Sequence, residues 1–275
     1  MTHITEQEIA HVEHMARRVR VSVVDMLATA GSGHLAGSLG MADIFSALYF
    51  YILRHDPSDP EWEERDRLIL SNGHIVPVRY ATMAHAGYFP LEELATLRRL
   101  GSRLQGHPER TRLSGLETTS GPLGEGLSQA VGITLGACMD GKEFRTFCVT
   151  SDGEHQCGIT WEAIMCAGAK KLHNLINIVD RNGIQIGGAT EDVMPVEPLM
   201  EKYEAFGWHV IDVDGHNIEM FCDAVATAHD ITDRPTVIIA HTIPGKGVPE
   251  IEGDYRWHGK VPTKEEAERW IATLQ

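Results

Sequence analysis

Thr146-Phe147-Cys148-Val149-Thr150 runs straight into Ser151-Asp152-Gly153, and Leu175-Ile176-Asn177-Ile178-Val179 runs into Asp180-Arg181-Asn182-Gly183. Each is an apolar run of strand length that ends in a polar, glycine-bearing loop. About thirty residues separate Asp152 from Asn182, an interval that suits one βαβ crossover. Two strands joined in that way lie side by side, so Asp152 and Asn182 should meet at their carboxyl ends. Three further runs read the same way: Arg67-Leu68-Ile69-Leu70, His209-Val210-Ile211-Asp212-Val213 and Thr236-Val237-Ile238-Ile239-Ala240. Strands alternating with helical patterns predict an α/β chain with a mostly parallel sheet, flanked by helices and buried on both faces. Such sheets bind ligands at the strands' carboxyl ends. The polar loops Ser71-Asn72-Gly73-His74, Ser151-Asp152-Gly153-Glu154 and Asp180-Arg181-Asn182-Gly183 all fall there.

Outward from that core, helical periodicity covers 8–30 and 42–53, where His55-Asp56-Pro57 stops it. No repeat, low-complexity tract or Pro/Ser-rich linker interrupts the 275 residues. Residues 1–275 are therefore expected to be a single domain with a helical N-terminal lead-in and a short C-terminal tail. No run of about 18 apolar residues suggests a membrane span. The polar, acidic start from Met1 to Glu8 lacks the features of a secretory signal, so a cytoplasmic address is expected. A formal charge of -15 argues against a nucleic-acid partner, which clustered Lys and Arg would hold. Cys138, Cys148, Cys157, Cys166 and Cys222 are odd in number and lack CxxC spacing; most are expected to be buried, reduced thiols.

A carboxylate oxygen from Asp152 and an amide oxygen from Asn182 are hard ligands suited to Mg²⁺ or Ca²⁺, and Mg²⁺ leaves octahedral positions to phosphate oxygens and water. Gly153 lets backbone amides approach the same anion. The dipeptides Asp152-Gly153 and Asn182-Gly183 also suit tight turns, which is the competing reading.

The ordered set of motifs resembles a known family. Strand, Asp-Gly, a crossover, strand and Asn is the thiamine diphosphate signature. With Gly31-Ser32-Gly33-His34, Asn72-Gly73-His74, Gly106-His107-Pro108-Glu109, Thr119-Ser120-Gly121-Pro122-Leu123-Gly124 and Trp257-His258-Gly259, nearly the whole chain resembles the N-terminal, diphosphate-binding half of transketolase, in its form split over two polypeptides. The resemblance implies a three-layer thiamine diphosphate-binding fold, 1–275 being its diphosphate-binding domain. It implies thiamine diphosphate with Mg²⁺, or Ca²⁺ or Mn²⁺ in its place, held by Asp152, Asn182 and the carbonyl of Ile184. Gly153, Glu154, Asn182 and His74 join the cofactor-binding set. Gly121 and Leu123 meet the aminopyrimidine, Ile186 packs on the thiazolium, and His258 lies between the diphosphate and the reacting carbon.

Among fifteen histidines, His34, His74, His107 and His258 adjoin Gly or Pro in predicted loops, where backbone can approach a ligand. The resemblance assigns His34, His107 and His258 to substrate hydroxyls and proton movement, with His74 mainly supporting the diphosphate. The implied reaction moves a two-carbon ketol unit from a ketose phosphate to an aldose phosphate. The carboxylate that activates the aminopyrimidine, and most groups that hold the acceptor's phosphate, lie in the family's pyrimidine-binding domain. A C-terminal partner subunit is therefore expected, in an α2β2 assembly. Three positions depart from the pattern: Ser151 for Gly, Gly187 for a frequent Asp, and Cys157 for a glutamate that links paired cofactor sites. The alternatives are other thiamine diphosphate enzymes, such as a deoxyxylulose phosphate synthase or part of a 2-oxo acid dehydrogenase, and a cofactor-binding subunit without catalysis. A nicotinamide Rossmann protein is disfavoured because no GxGxxG follows an early strand.

Overall fold

The computed structural model describes residues 3–275. The described strands are β1 (Arg67–Leu70), β2 (Thr146–Ser151), β3 (Leu175–Arg181), β4 (Ile184–Gln185), β5 (Gly188–Ala189), β6 (His209–Asp214) and β7 (Thr236–His241). The α-helices are α1 (Glu6–Ala30), α2 (Ala36–Gly40), α3 (Ala42–Ala47), α4 (Val76–His85), α5 (Glu125–Met139), α6 (Gly158–Ala169), α7 (Thr190–Val193), α8 (Leu199–Ala205), α9 (Ile218–Asp230) and α10 (Lys264–Leu274). All five runs expected to be strands form one wholly parallel sheet in the order β1-β2-β3-β7-β6. The β4–β5 hairpin stands apart from it.

Side-chain alternation along the strands makes the layers. Leu68, Leu70, Phe147, Val149, Ile176 and Ile178 share a core with α1, α3, α4, α9 and α10. Ile69, Cys148, Leu175, Val179, Val237 and Ile239 share another with α5, α6 and α8. Each fully buried Leu, Ile or Phe contributes roughly 1.5–3 kcal/mol, so a central strand apolar on both faces is stable only between two helical layers. β2 is buried along its entire length, whereas the edge strand β6 is half open. Among the described residues no helix is long and apolar enough to cross a membrane.

α1 begins at a reciprocal cap. Thr5 Oγ1 accepts from Glu8 N at 3.3 Å, and Glu8 Oε2 accepts from Thr5 N at 2.8 Å. It ends where Gly31, at φ 67°, donates its N–H to Leu27 O, which turns the chain toward His34. The expected 42–53 helix stays α-helical only to Ala47. The His55 side chain takes the Tyr49 carbonyl, Nε2 to O 2.7 Å, and Leu53 N–H reaches Leu48 O instead, which closes a wider π turn over Leu48–Ile52. The expectation that most cysteines are buried needs correction. Only Cys148 and Cys222 are buried; Cys157 and Cys166 are partly so, and Cys138 is exposed. Cys138 and Cys166 lie on α5 and α6, whose outer faces are open to solvent although their sequences are largely apolar.

Candidate active site

Loops from distant parts of the chain converge above the carboxyl ends of β1, β2 and β3. The β2–β3 register pairs Ser151 with Asp180, so Asp152 and Asn182 do leave neighbouring strands at one level. Asp152 is fully buried and its carboxylate accepts from three donors. Oδ1 accepts from Gly153 N at 2.7 Å, and Oδ2 accepts from Gly183 N and Arg181 Nη1, each at 2.7 Å. Burial pushes its pKa up, and Arg181 and the two amides oppose that. Asn182 is fixed by Asp180, whose Oδ2 accepts from Asn182 Nδ2 at 2.7 Å, leaving Asn182 Oδ1 beside Ile184 N at 3.0 Å. Asp180 is itself held by Thr242, and burial raises its carboxyl to about 7.

Glu154 ties the loops together. One carboxylate oxygen accepts from Ser71 Oγ at 2.5 Å and Gly124 N at 2.6 Å, the other from Ser151 N at 2.8 Å. It thereby joins the β1 loop, the turn before α5 and the end of β2. Gly124 sits at φ 89°, in the left-handed region, and a Cβ there would come within 2.9 Å of Thr160 Oγ1. Gly73 is equally constrained, since its Cβ would meet Ser120 Oγ at 2.4 Å; the histidine-bearing turn can close on the 119–121 segment only as glycine.

A cavity of about 330 Å³ opens between these loops. His34, His74, His107, His258, Gly121, Leu123, Gly153, Asn182, Ile184 and Ile186 all line it, together with Ser151, Gln156, Gln185 and Gly187. Two expected residues do not line it. Asp152 and Glu154 lie beneath the floor, Glu154 with its carboxylate spent on the loop contacts above. His34, His74 and His258 cluster with ring centroids 4.9, 5.5 and 5.1 Å apart. Burial first, and mutual repulsion among the rings second, lowers His34 to about 4 and His74 well below its ordinary value. Burial also lowers His107 and His258. Near neutral pH these imidazoles are uncharged, so each offers one donor and one acceptor. The His34 Nδ1 atom is buried with no partner.

The residues present fit a diphosphate cofactor with a hard cation. Asp152, Asn182 and the Ile184 carbonyl would offer a cation oxygen donors only, which suits Mg²⁺ better than a thiolate or imidazole cage would. Leu123 and Ile186 keep 43% and 75% of their surface exposed where they line the cavity, an apolar strip that an aromatic ring would cover. Sequence reasoning missed Arg181 as the counter-ion of Asp152, and Gln156 and Gln185, joined Nε2 to Oε1 at 2.9 Å, as lining. Arg181 stands between Asp180 and Asn182, but nothing in its spacing says that it folds back on Asp152.

Residues 11–272 match the family described as transketolase, thiamine diphosphate binding domain. The chain is 40% identical over 272 residues to a 6-deoxy-6-sulfo-D-fructose transketolase subunit from Clostridium sp. (strain MSTE9), covering 99% of this chain and 98% of that one. It is 37% identical over 264 residues to one of the subunits of an apulose-4-phosphate transketolase from Phocaeicola vulgatus, covering 96% and 94%. It is also similar to the solved structure of a transketolase variant from Pichia stipitis, with a TM-score of 0.92 and 32% identity. That match covers 96% of this chain but only 40% of the Pichia chain. The chain belongs to the transketolase family, to its thiamine diphosphate-binding part.

Proposed function

We propose that this chain is the diphosphate-binding subunit of a two-chain, cytoplasmic transketolase that moves a two-carbon ketol unit from a ketose phosphate to an aldose phosphate. The observation that carries the reading is the histidine triplet His34, His74 and His258 beside an exposed apolar strip, above the Asp152–Asn182 floor. Residues 1–275 act as one diphosphate-binding domain. Asp152, Asn182 and the Ile184 carbonyl hold Mg²⁺. Gly153 and His74 face the diphosphate, Gly121 and Leu123 the aminopyrimidine, and Ile186 the thiazolium. Thiamine diphosphate, when bound, supplies a carbanion and an electron sink for breaking the carbon–carbon bond.

The chain's own residues bind, orient and move protons. A neutral His34 or His107 can donate to a sugar hydroxyl and accept from its neighbour, which lets each hold a polyol without leaving a buried group unpaired. His258, packed against both His34 and His74, is placed to shuttle a proton at the substrate carbonyl oxygen. Asp180 keeps the Asn182 amide oxygen turned to the cation site.

A partner carrying the pyrimidine-binding domain completes the site in an α2β2 enzyme. The support for it is apolar surface left open beside the cavity and on α5 and α6, where Leu123, Met139, Ile159 and Met165 are all exposed. Purified alone, the chain should turn over no ketose. Mixed with a polypeptide bearing the pyrimidine-binding domain, it should show thiamine diphosphate- and Mg²⁺-dependent transfer. Turnover by the isolated chain would refute the two-chain reading.

A further inference from the structure

Charged groups that line no part of the cofactor cavity hold the end of β7 from outside the sheet. β7 stops at His241, and the next two residues, Thr242 and Ile243, have left the ladder that pairs β7 with β3 and β6. Thr242 N still reaches Arg181 O at 3.3 Å. Ile243 N instead donates to His216 Nε2 at 2.8 Å. An N–H donor at Nε2 places the ring proton on Nδ1, which lies 2.8 Å from Asp43 Oδ2. Asp43 also accepts two parallel bonds from Arg20, Nη1 to Oδ1 at 3.0 Å and Nη2 to Oδ2 at 2.5 Å, while Arg20 Nε donates to Leu39 O at 3.2 Å. Arg20 and Asp43 are buried, and the His216 side chain keeps only 11% of its surface. Burial alone would raise the Asp43 carboxyl, but His216 and Arg20 hold it below its ordinary value. A relay of three side chains thus runs from α1 through α3 to one backbone amide.

Thr242 carries the relay into the site. Its Oγ1 donates to Asp180 Oδ1, and Asp180 Oδ2 accepts from Asn182 Nδ2 at 2.7 Å. Asp180 is buried and makes no ion pair among the described residues, so these two bonds orient it. The turn that bears His216 presses on the same peptide. Gly215 N donates to His241 O at 2.8 Å, and a Cβ on Gly215 would stand 2.8 Å from Thr242 Cγ2. From α2, a Cβ on Gly40 would stand 3.0 Å from Ile243 O. Packing therefore closes on the carbonyl side of Ile243, and His216 takes the amide side. Losing that bond lets the peptide rotate, which swings Thr242 Oγ1 off Asp180 and frees the Asn182 amide to turn.

We propose that His216 is a positioning residue for the cation floor: backed by Asp43 and Arg20 it fixes the Thr242–Ile243 peptide, which through Thr242 and Asp180 keeps the Asn182 amide oxygen turned to the cation. The role at the floor rests on the reading of Asn182 as a cation ligand; the anchoring of Ile243 does not. Outer partners of this kind act through a ligand without touching the metal, and losing one costs about 10–100-fold in metal affinity.

Nitrogen-15 NMR of the unaltered full chain reads the anchor directly. His216 should carry its proton on Nδ1, with a coupling across the hydrogen bond from Ile243 N to Nε2; a proton on Nε2 overturns the anchor. His216→Gln keeps an acceptor for Ile243 and a donor for Asp43, whereas His216→Phe keeps a ring and loses both. Arg20 stays on Asp43 in each, so both variants should fold. In His216→Phe the Ile243 amide should exchange with solvent about tenfold faster, the scale of one lost hydrogen bond, and His216→Gln should restore most of the protection. In the holoenzyme, calorimetric titration with Mg²⁺ in the presence of thiamine diphosphate should show binding weakened about tenfold or more by His216→Phe and largely recovered in His216→Gln. The KM for the ketose, measured at saturating Mg²⁺, should not follow that change, as it would if the whole cavity had loosened. Unchanged Mg²⁺ affinity in His216→Phe, or His216→Gln as impaired as His216→Phe, overturns the role at the floor. Unchanged Mg²⁺ affinity in Asn182→Ala overturns the cation reading itself and takes that role with it. The anchor is then judged by amide exchange alone, where equal Ile243 rates in wild type and His216→Phe overturn it.

Discussion

Arg181→Met tests how the buried floor tolerates the absence of a cation. Asp152 is fully buried, and Arg181 Nη1 at 2.7 Å is its only cationic partner among the described residues. Removing one member of a buried pair costs about 3–5 kcal/mol when the other is left uncompensated. Two backbone N–H donors, from Gly153 and Gly183, stay on Asp152, so the expected loss in the cofactor-free chain is smaller, about 2–3 kcal/mol. The guanidinium has somewhere else to go: it also contacts Glu191 at 2.8 Å and Glu197 at 2.9 Å. A divalent cation bound at Asp152 would compete with Arg181, which could turn toward those carboxylates while the cation supplied the missing charge. Urea unfolding near pH 7.5, with and without Mg²⁺ and thiamine diphosphate, reads this out. The variant should lose about 2–3 kcal/mol without them and most of that loss should vanish when they are bound, by linkage between binding and folding. Equal losses under both conditions would show that guanidinium and cation do not compete for Asp152, and the reasoning would fail.

Asp152→Ala should abolish thiamine diphosphate binding in a calorimetric titration of the assembled enzyme; unchanged heats would remove Asp152 from the metal set. The pH profile follows from opposed shifts. His155, fully buried, falls from the ordinary 6.5 to about 4, so it contributes stability above 6.5 that is lost as pH falls toward 4, at most about 3 kcal/mol. Asp180 rises from 3.8 to about 7, so its contribution is present at low pH and is lost as pH climbs through that window. Asp180→Asn removes the opposing contribution, and its stability should climb more steeply than wild type between pH 4 and 6.5 in thermal melts; a shallower climb would reverse the assignment. Burial raises the Cys157 thiol while Cys138 is exposed, so iodoacetamide at neutral pH should label Cys138 first, by peptide mass analysis.

The sheet was legible because its signal is local. Val149 and Ile178 belong to apolar runs whose length and spacing admit little but parallel strands between helices, and the register then follows from one crossover. The loop histidines were legible for a related reason: His34, His74, His107 and His258 sit next to Gly or Pro, and glycine such as Gly73 marks where backbone must come close. What stayed hidden depends on distance across the fold. Glu154 was read as a ligand-facing neighbour of Asp152, but a 3₁₀ turn over Asp152–Gln156 points it inward, where Ser71 and Gly124 donate to its carboxylate. The π turn at Leu48–Ile52 turns on a side chain, His55, reaching back to the Tyr49 carbonyl. Arg181 carries no periodicity at all. A carboxylate from the neighbouring strand end neutralises it, and only the three-dimensional accounting of partners shows that this one arginine is spent on the buried floor and not left to solvent.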